Sequence, residues 1–309
     1  MSAWKRNQGA ENRRSFPPLV VVEVKALACE LPQRFGVPLS RFSIRELRRE
    51  AIDRGIVASV SGSTIWRWLS EDAIKPWRHR SWIFPRDPEF ETKAGRVLDL
   101  YHREWEGKRL SKRDFVICAD EKTSIQARIR RHSTLPPSPG LNMRVEHEYI
   151  RGGSLAYLAA LDVHGMRLFG RCEERSGIEP FGRLVDQVME SQPYRSARRV
   201  FWIIDNGSSH RGAKSVERLQ KKWKNIVPVH LPVHASWLNQ IEIYFSVVQR
   251  KVLTPNDFAS LEQVEDRLLA FQDRYQETAS PFEWRFTRKD LERLMGRLDG
   301  EPAISAAAA

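Results

Sequence analysis

Three acids occupy positions at which carboxylates can do chemistry. Asp120 comes two residues after the apolar run Phe115-Val116-Ile117-Cys118. Asp205 directly follows Phe201-Trp202-Ile203-Ile204, and Glu242 lies in an amphipathic stretch that begins at Ser236. Acids at the ends of buried strands project from the sheet edge, where ligands gather in α/β folds. Close carboxylates repel and raise one another's pKa, so three together become favourable when divalent cations neutralise them. Mg²⁺ prefers such hard oxygen ligands and keeps sites for waters and phosphate oxygens. Two ions about 3.5–4 Å apart can activate an attacking oxygen and stabilise a leaving one in an in-line phosphoryl displacement. Asp162, Glu121 and Glu146 compete for the same role, because acids near strand ends also serve as caps and turns.

The elements that must position these acids follow from the patterning. Residues 115–118 read as a buried strand, Arg144 to Tyr149 as a half-buried one, and Leu155–Val163 and Met166–Arg171 as a meander turning at Gly165. Pro180 opens a helix with Phe181, Leu184, Val185, Val188 and Met189 on one stripe. A strand over 200–204, a helix around Val216–Trp223, a strand over 226–231 and helices over 236–252 and 261–275 complete the series. A strand meander followed by helix, strand, helix, strand, helix fits an RNase H-like fold, a mixed sheet with helices on both faces. Taking ~100° per residue from Trp237 places Leu238, Ile241, Phe245, Val248 and Val252 on one stripe, Glu242 at its border, and Asn239 well outside it. Trp237 reads as core; Asn239 is expected to orient Glu242 or to contact DNA.

The front of the chain reads differently. Pro17-Pro18 opens a helix from Leu19 to Leu31, and Ser43 with Glu46 forms a capping box for a second helix ending at Gly55. A third starts at Ser61, with Val60 and Ile65 as a hydrophobic staple. Together these make a small all-α, helix-turn-helix-like unit. Ser63, Thr64, Arg67 and Trp68 are read as lying off the Ile65/Leu69 stripe, where they could face a major groove. The basic, aromatic run Lys75–Trp82 reads as a linker in which Arg78 and Arg80 reach DNA, or equally as a charged loop pinned by its tryptophans. The expected organisation is a polar leader (1–16), the helix-turn-helix-like unit (17–72), a linker and a polar helix from about Phe90 to Gly107 (73–113), an RNase H-like catalytic domain (114–280), and a C-terminal helix with a frayed tail (281–309).

Charge agrees with a polyanionic partner. The 309 residues carry a net charge of +12, and each Lys or Arg placed on a phosphate releases condensed counterions. Residues 1–113 hold 23 Lys/Arg against 14 Asp/Glu, whereas 114–309 hold 28 against 25, so the front is the basic part. With 41% hydrophobic residues the chain can build a packed interior, and it has no apolar run long enough for a membrane helix and no apolar signal-peptide core. A cytoplasmic location is the expectation. Cys29, Cys118 and Cys172 lie far apart, which argues against a disulfide framework or a cysteine zinc site; they read as reduced, buried thiols.

The wording of three segments carries a resemblance. Cys118-Ala119-Asp120-Glu121-Lys122-Thr123, Ile204-Asp205-Asn206-Gly207-Ser208-Ser209-His210 and His234-Ala235-Ser236-Trp237-Leu238-Asn239-Gln240-Ile241-Glu242 resemble the catalytic blocks of DDE transposases, in particular the bacterial insertion-sequence branch related to the mariner superfamily. Spacings of 85 residues between the aspartates and 37 from Asp205 to Glu242 accord with it. The resemblance spans about residues 17–298. It implies metal-dependent cleavage at element ends and strand transfer by Asp120, Asp205 and Glu242 with two Mg²⁺ or Mn²⁺ ions. It also implies double-stranded DNA partners (terminal inverted repeats and a short TA-containing target) and a homodimer or larger assembly on DNA, in a bacterial, nucleoid-associated setting. That family carries two helix-turn-helix units ahead of the catalytic domain, and only one fits between Pro17 and Asp72, a departure that bears on end recognition. The alternatives are a truncated or repurposed transposase that only binds DNA, and another RNase H-like nuclease such as a junction resolvase. His210, His230 and His234 near the acids, and Lys122, Arg128, Arg130 and Arg131 after Asp120, are weaker candidates for touching metal or DNA.

Overall fold

The structure, a computed structural model, describes residues 16–79, 85–206 and 213–300. The leader, Arg80 with its neighbours, His210 and the alanine-rich tail therefore lie outside the described residues. The chain divides into two compact units, Met1–Ile83 and Phe84–Ala309.

The first unit holds α1 (Pro18–Ala28), α2 (Ile44–Asp53) and α3 (Gly62–Glu71). Helix α1 stops at Ala28, short of the expected Leu31, and the chain turns at once into a short 3-10 helix at Pro32–Phe35. The capping box of α2 forms as read: Glu46 accepts from the Ser43 backbone N–H at 2.6 Å, and the Ser43 hydroxyl accepts from the Glu46 N–H at 3.3 Å. Ser61 caps α3 through the Thr64 N–H. Val24, Leu27, Phe42, Leu47, Ala51, Val60, Ile65 and Leu69 form the core.

One expectation is corrected here. Trp68 is buried in this core, its ring edge-on to Phe16 at 5.0 Å. It sits three residues after Ile65, and on a helix that spacing shares the inward stripe. The exposed tryptophan of α3 is Trp66, at 57%. Cys29 is also exposed, because it lies past the end of α1, whereas Cys118 is buried and Cys172 half-buried; none is in a disulfide.

In the second unit α4 (Phe90–Tyr101) leads into a two-stranded ribbon, β1 (Glu104–Trp105) and β2 (Lys108–Arg109). The expected polar helix is shorter and more apolar than read, since Phe90, Ala94, Val97, Leu98 and Leu100 are buried against the sheet. The main sheet has the order β5-β4-β3-β6-β7, with β3 Asp114–Ile129, β4 Ile150–Asp162, β5 Leu168–Glu173, β6 Arg199–Ile204 and β7 Ile226–His230. The meander β3-β4-β5 is antiparallel, and β6 and β7 join it in parallel through α5 (Ile178–Met189) and α6 (Ala213–Lys222). This is the mixed sheet expected of an RNase H-like fold.

Alternation along the strands sorts the two faces. Val116, Cys118, Phe201 and Ile203 join the cluster that also holds residues of α4, α7 (Ile241–Lys251), α8 (Leu261–Thr278) and α9 (Arg288–Gly300). Ile117, Ala119, Val200, Trp202 and Ile204 face α5 and α6. Residues 144–149 are not a strand: apart from a bridge between Leu135 and Arg144 the segment is irregular and mostly exposed, so its alternation marks no buried face. Pairing instead resumes at Ile150 opposite Ile129, and β3 runs far past Cys118 through irregularities at 122–125 and 126–128.

Candidate active site

The sheet register brings the two aspartates together. Strands β3 and β6 pair in parallel up to Cys118 opposite Ile203. Two residues further along stand Asp120, still within β3, and Asp205, one residue past the end of β6. Asp120 has the parity of Cys118 and so belongs to the face on which α7 packs, and the charges of Asp205 and Glu242 both act on it. Glu242 reaches that face from the first turn of α7. An acid there also meets the positive end of the helix dipole.

The helix carrying Glu242 is built differently from the continuous 236–252 helix read from periodicity. Ser236–Leu238 form a 3-10 turn, Asn239 is extended (φ −82°, ψ 114°), and the α-helix starts at Ile241. Asn239 is fully buried, and its side-chain amide donates to the Ala119 carbonyl at 3.0 Å, next to Asp120 on β3. The buried Tyr101 hydroxyl donates to the Leu238 carbonyl at 2.6 Å, accepts from the Gln240 N–H at 3.4 Å and lies 3.3 Å from the Cys118 sulfur. Asn206 secures the other aspartate by donating to the Leu231 carbonyl at 2.5 Å. Periodicity alone could not find these contacts; the signal for Asn239 was a polar residue well outside the apolar stripe and three positions before Glu242.

The electrostatics show that the three acids sense one another. Asp120 is only 8% exposed, and burial pushes its carboxyl up. A hydrogen bond from the Glu121 N–H opposes the rise, the negative charges of Asp205, Glu121 and Glu242 add to it, and the result is about 8. Glu242 is raised by burial and by Asp205, while the positive charge of Lys122 pulls it down. Among the described residues no three His, Cys, Asp or Glu side chains are gathered tightly enough to make a ready-formed metal cage. The donor set nevertheless suits a hard divalent cation: three carboxylates on one face, carrying mutual repulsion that a cation would relieve.

The competing acids are accounted for. Asp162 accepts from the Tyr194 hydroxyl and from the backbone N–H groups of His164 and Gly165, closing the β4–β5 turn. Glu146 is held by His132 at 2.8 Å. Glu121 has the opposite parity to Asp120 on β3. His234 is exposed and His230 half-buried, while Trp237 packs edge-on against Phe286 at the rim of the core. In the first unit Ser63 and Arg67 are exposed and Thr64 half-buried, so these three share an accessible side of α3; Arg78 is exposed as well.

A mixed sheet of this order, with acids in β3, just past β6 and in the first turn of α7, is an RNase H-like fold. Residues 115–265, which include all three acids, match the model of the DDE superfamily endonuclease family. The chain is similar in fold to the Mos1 mariner paired-end complex with Mg (16% identity, TM-score 0.54, covering 94% of this chain and 81% of that one). It is also similar to the Mos1 strand transfer complex (14%, 0.52, 94% and 79%) and to the paired-end complex with Mn (14%, 0.52, 94% and 80%). Comparison with curated protein sequences gives no match.

Proposed function

We propose that this chain is a DDE-type transposase that cleaves DNA at element ends and joins the freed strand to a target. The observation that carries the reading is that Asp120 in β3, Asp205 just past β6 and Glu242 in the first turn of α7 lie close enough for their charges to act on one another. Asp120, Asp205 and Glu242 would hold the divalent ions, Mg²⁺ or Mn²⁺. Bound there, such ions supply charge neutralisation for an in-line displacement at phosphorus. The protein's own part is positional. β3 and the end of β6 fix two carboxylates, the Asn239 and Tyr101 hydrogen bonds fix the start of α7, and Lys122 keeps positive charge beside Glu242. With water as attacking group the outcome is hydrolysis that leaves a DNA 3′-hydroxyl; with that hydroxyl as attacking group it is strand transfer.

Duplex DNA would be read by the first unit through Ser63, Thr64 and Arg67 on the open side of α3, with Arg78 on a phosphate. Work on paired ends calls for a homodimer or larger assembly. The fold similarity to complexes described as paired-end, strand-transfer, Mg and Mn complexes supports this reading. The test is cleavage of linear DNA bearing candidate inverted repeats, with Mg²⁺ and with EDTA. Cleavage is expected only with metal and lost in a folded Asp205→Ala variant; cleavage that survives this substitution sinks the proposal. Specific binding with no cleavage under any metal would select the alternative, a repurposed transposase that only binds DNA.

A further inference from the structure

A groove of about 650 Å³ opens beside the acid centre, along the second half of β3. Residues 145–149 form one wall and residues just after α7 the other. Lys122 links the two places, since it lines the groove and its charge acts on Glu242. Further along, Arg128 and Arg130 both lie over the Tyr149 ring, at 4.8 and 5.2 Å.

The two arginines are employed differently. Arg130 donates to the carbonyls of Glu146, His147 and Asn256 and so braces the walls. The Arg128 guanidinium has no hydrogen-bond or ion-pair partner among the described residues, and its Nε is shut off from solvent. Its backbone is nevertheless fixed, with the Arg128 N–H donating to Asn256 Oδ1 at 3.0 Å and the Asn256 amide donating to the Gln126 carbonyl at 2.6 Å. A buried donor without an acceptor costs about 1–3 kcal/mol, and a charged one more. The nearest acid on the groove wall, Glu146, is already engaged by His132. A guanidinium held over the Tyr149 ring on the groove wall, with no acid beside it among the described residues, can take an outside anion at its terminal nitrogens.

We propose that the groove is a phosphodiester-binding subsite, in which Lys122 and then Arg128 take backbone phosphates of the DNA strand leaving the acid centre. This rests on the DNA-cleaving reading above. From Asp120 to Arg128 the strand extends on the order of 25 Å at ~3.3 Å per residue, which spans several nucleotides and far exceeds one free phosphate. The contacts are to charge and not to base edges, so binding here is independent of sequence.

The test uses the full chain and a fluorescent oligothymidylate single strand, which offers no duplex groove to the first unit. Anisotropy is followed across a salt series. In Arg128→Gln the slope of log K against log salt is expected to fall by about 0.7, one phosphate's share on a single strand. Arg128→Lys should keep the slope, and Arg285→Gln, an exposed arginine away from the groove, should match the parent. Thermal melting checks folding; if Arg128→Gln does not fold, Lys122→Gln carries the same slope prediction. Failure of the parent to bind, or an unchanged slope and affinity in the folded glutamine variants, overturns the subsite. Metal-dependent cleavage measured on the same preparations separates the two ideas. Cleavage with an unchanged slope removes the subsite alone, whereas a lowered slope without cleavage removes the nuclease reading alone.

Discussion

The side-chain amide of Asn239 donates to the backbone carbonyl of Ala119 across 3.0 Å, tying a residue two before the start of α7 to the residue before Asp120. The bond ties the chain leading into the helix that bears Glu242 to the strand that bears Asp120. Its strength comes from burial: both groups are shut off from water, so neither finds another partner. Asn239→Leu, of similar size, would leave the Ala119 carbonyl unsatisfied and lower stability by about 1–3 kcal/mol. Partners that orient metal ligands typically cost 10–100-fold in metal affinity when lost, and about tenfold weaker Mn²⁺ binding is expected here. Tyr101→Phe should act in the same direction by freeing Leu238 and Gln240. The control is Tyr244→Phe, which removes a core hydroxyl bonded to Tyr157 and should lower the melting temperature while leaving Mn²⁺ titrations unchanged. Equal metal affinity in all three variants would show that the Asn239 and Tyr101 bonds hold only the fold.

The raised Asp120 carboxyl gives the metal-free protein a distinctive pH response. Its folded value of about 8 lies above the ordinary aspartate value of ~3.9, so the native state holds a proton that the unfolded state releases. Stability from this group is therefore fully present below pH ~4 and is lost as pH rises through about 8. Denaturant titrations from pH 5 to 9 should show parent stability falling relative to Asp120→Asn. Metal binding, which must displace the same proton, should tighten over the same rise. A parent-minus-variant difference that is flat across that range would refute the assignment.

Asp114 predicts the opposite sign. Burial raises its carboxyl, but hydrogen bonds from Arg198, Arg199 and the Ser111 N–H outweigh this and hold it well below the usual range. The pair clamps the starting ends of β3 and β6, upstream of the two aspartates. Its stabilisation is present above the unfolded value near pH ~4 and disappears as pH falls through the lowered folded value. Because both arginines can be rehydrated on the surface, Asp114→Asn is expected to cost about 2 kcal/mol at pH 7, less than a wholly buried pair. Urea unfolding at pH 7 and pH 3 should show that gap closing at acid pH.

In the first unit, neighbouring residues of α3 should part company. Arg67→Ala removes an exposed side chain and should weaken binding to element-end duplex without changing the melting temperature or metal affinity. Trp68→Ala empties a core position and should cost about 3–5 kcal/mol, enough to unfold the unit. Unfolding of this unit by circular dichroism, set beside duplex binding, checks both. A stable Trp68→Ala protein with lost DNA binding would restore Trp68 to the recognition surface.

Much of this was legible beforehand. Capping at Ser43 and Ser61 and the apolar strand segments followed by acids are local features, and local chemistry specifies them; only the extent of β3, which carries Asp120 within it and runs on to Ile129, went unread. The misread parts share a different cause. Residues 144–149 alternate without a partner strand, and a period-2 pattern cannot say whether a neighbour exists. Trp68 lies three residues from Ile65, yet whether a large amphipathic ring turns inward depends on Phe16, far away in the chain. The break at Asn239 interrupts what reads as one helix, because a carbonyl on β3 offers its amide a better partner than solvent.

By itself, then, the chain's order of residues determined which carboxylates follow apolar strand segments, how the strands and helices follow one another, and where the basic residues concentrate, all properties set within a few residues of each position. Tertiary structure alone decided that the charges of Asp120, Asp205 and Glu242 act on one another, that Glu242 opens a helix instead of lying inside one, and that the Arg128 guanidinium meets no acid among the described residues. Those outcomes depend on pairing between segments distant in the chain, where strand register, burial and the competition for hydrogen-bond partners are settled only once the sheet has closed.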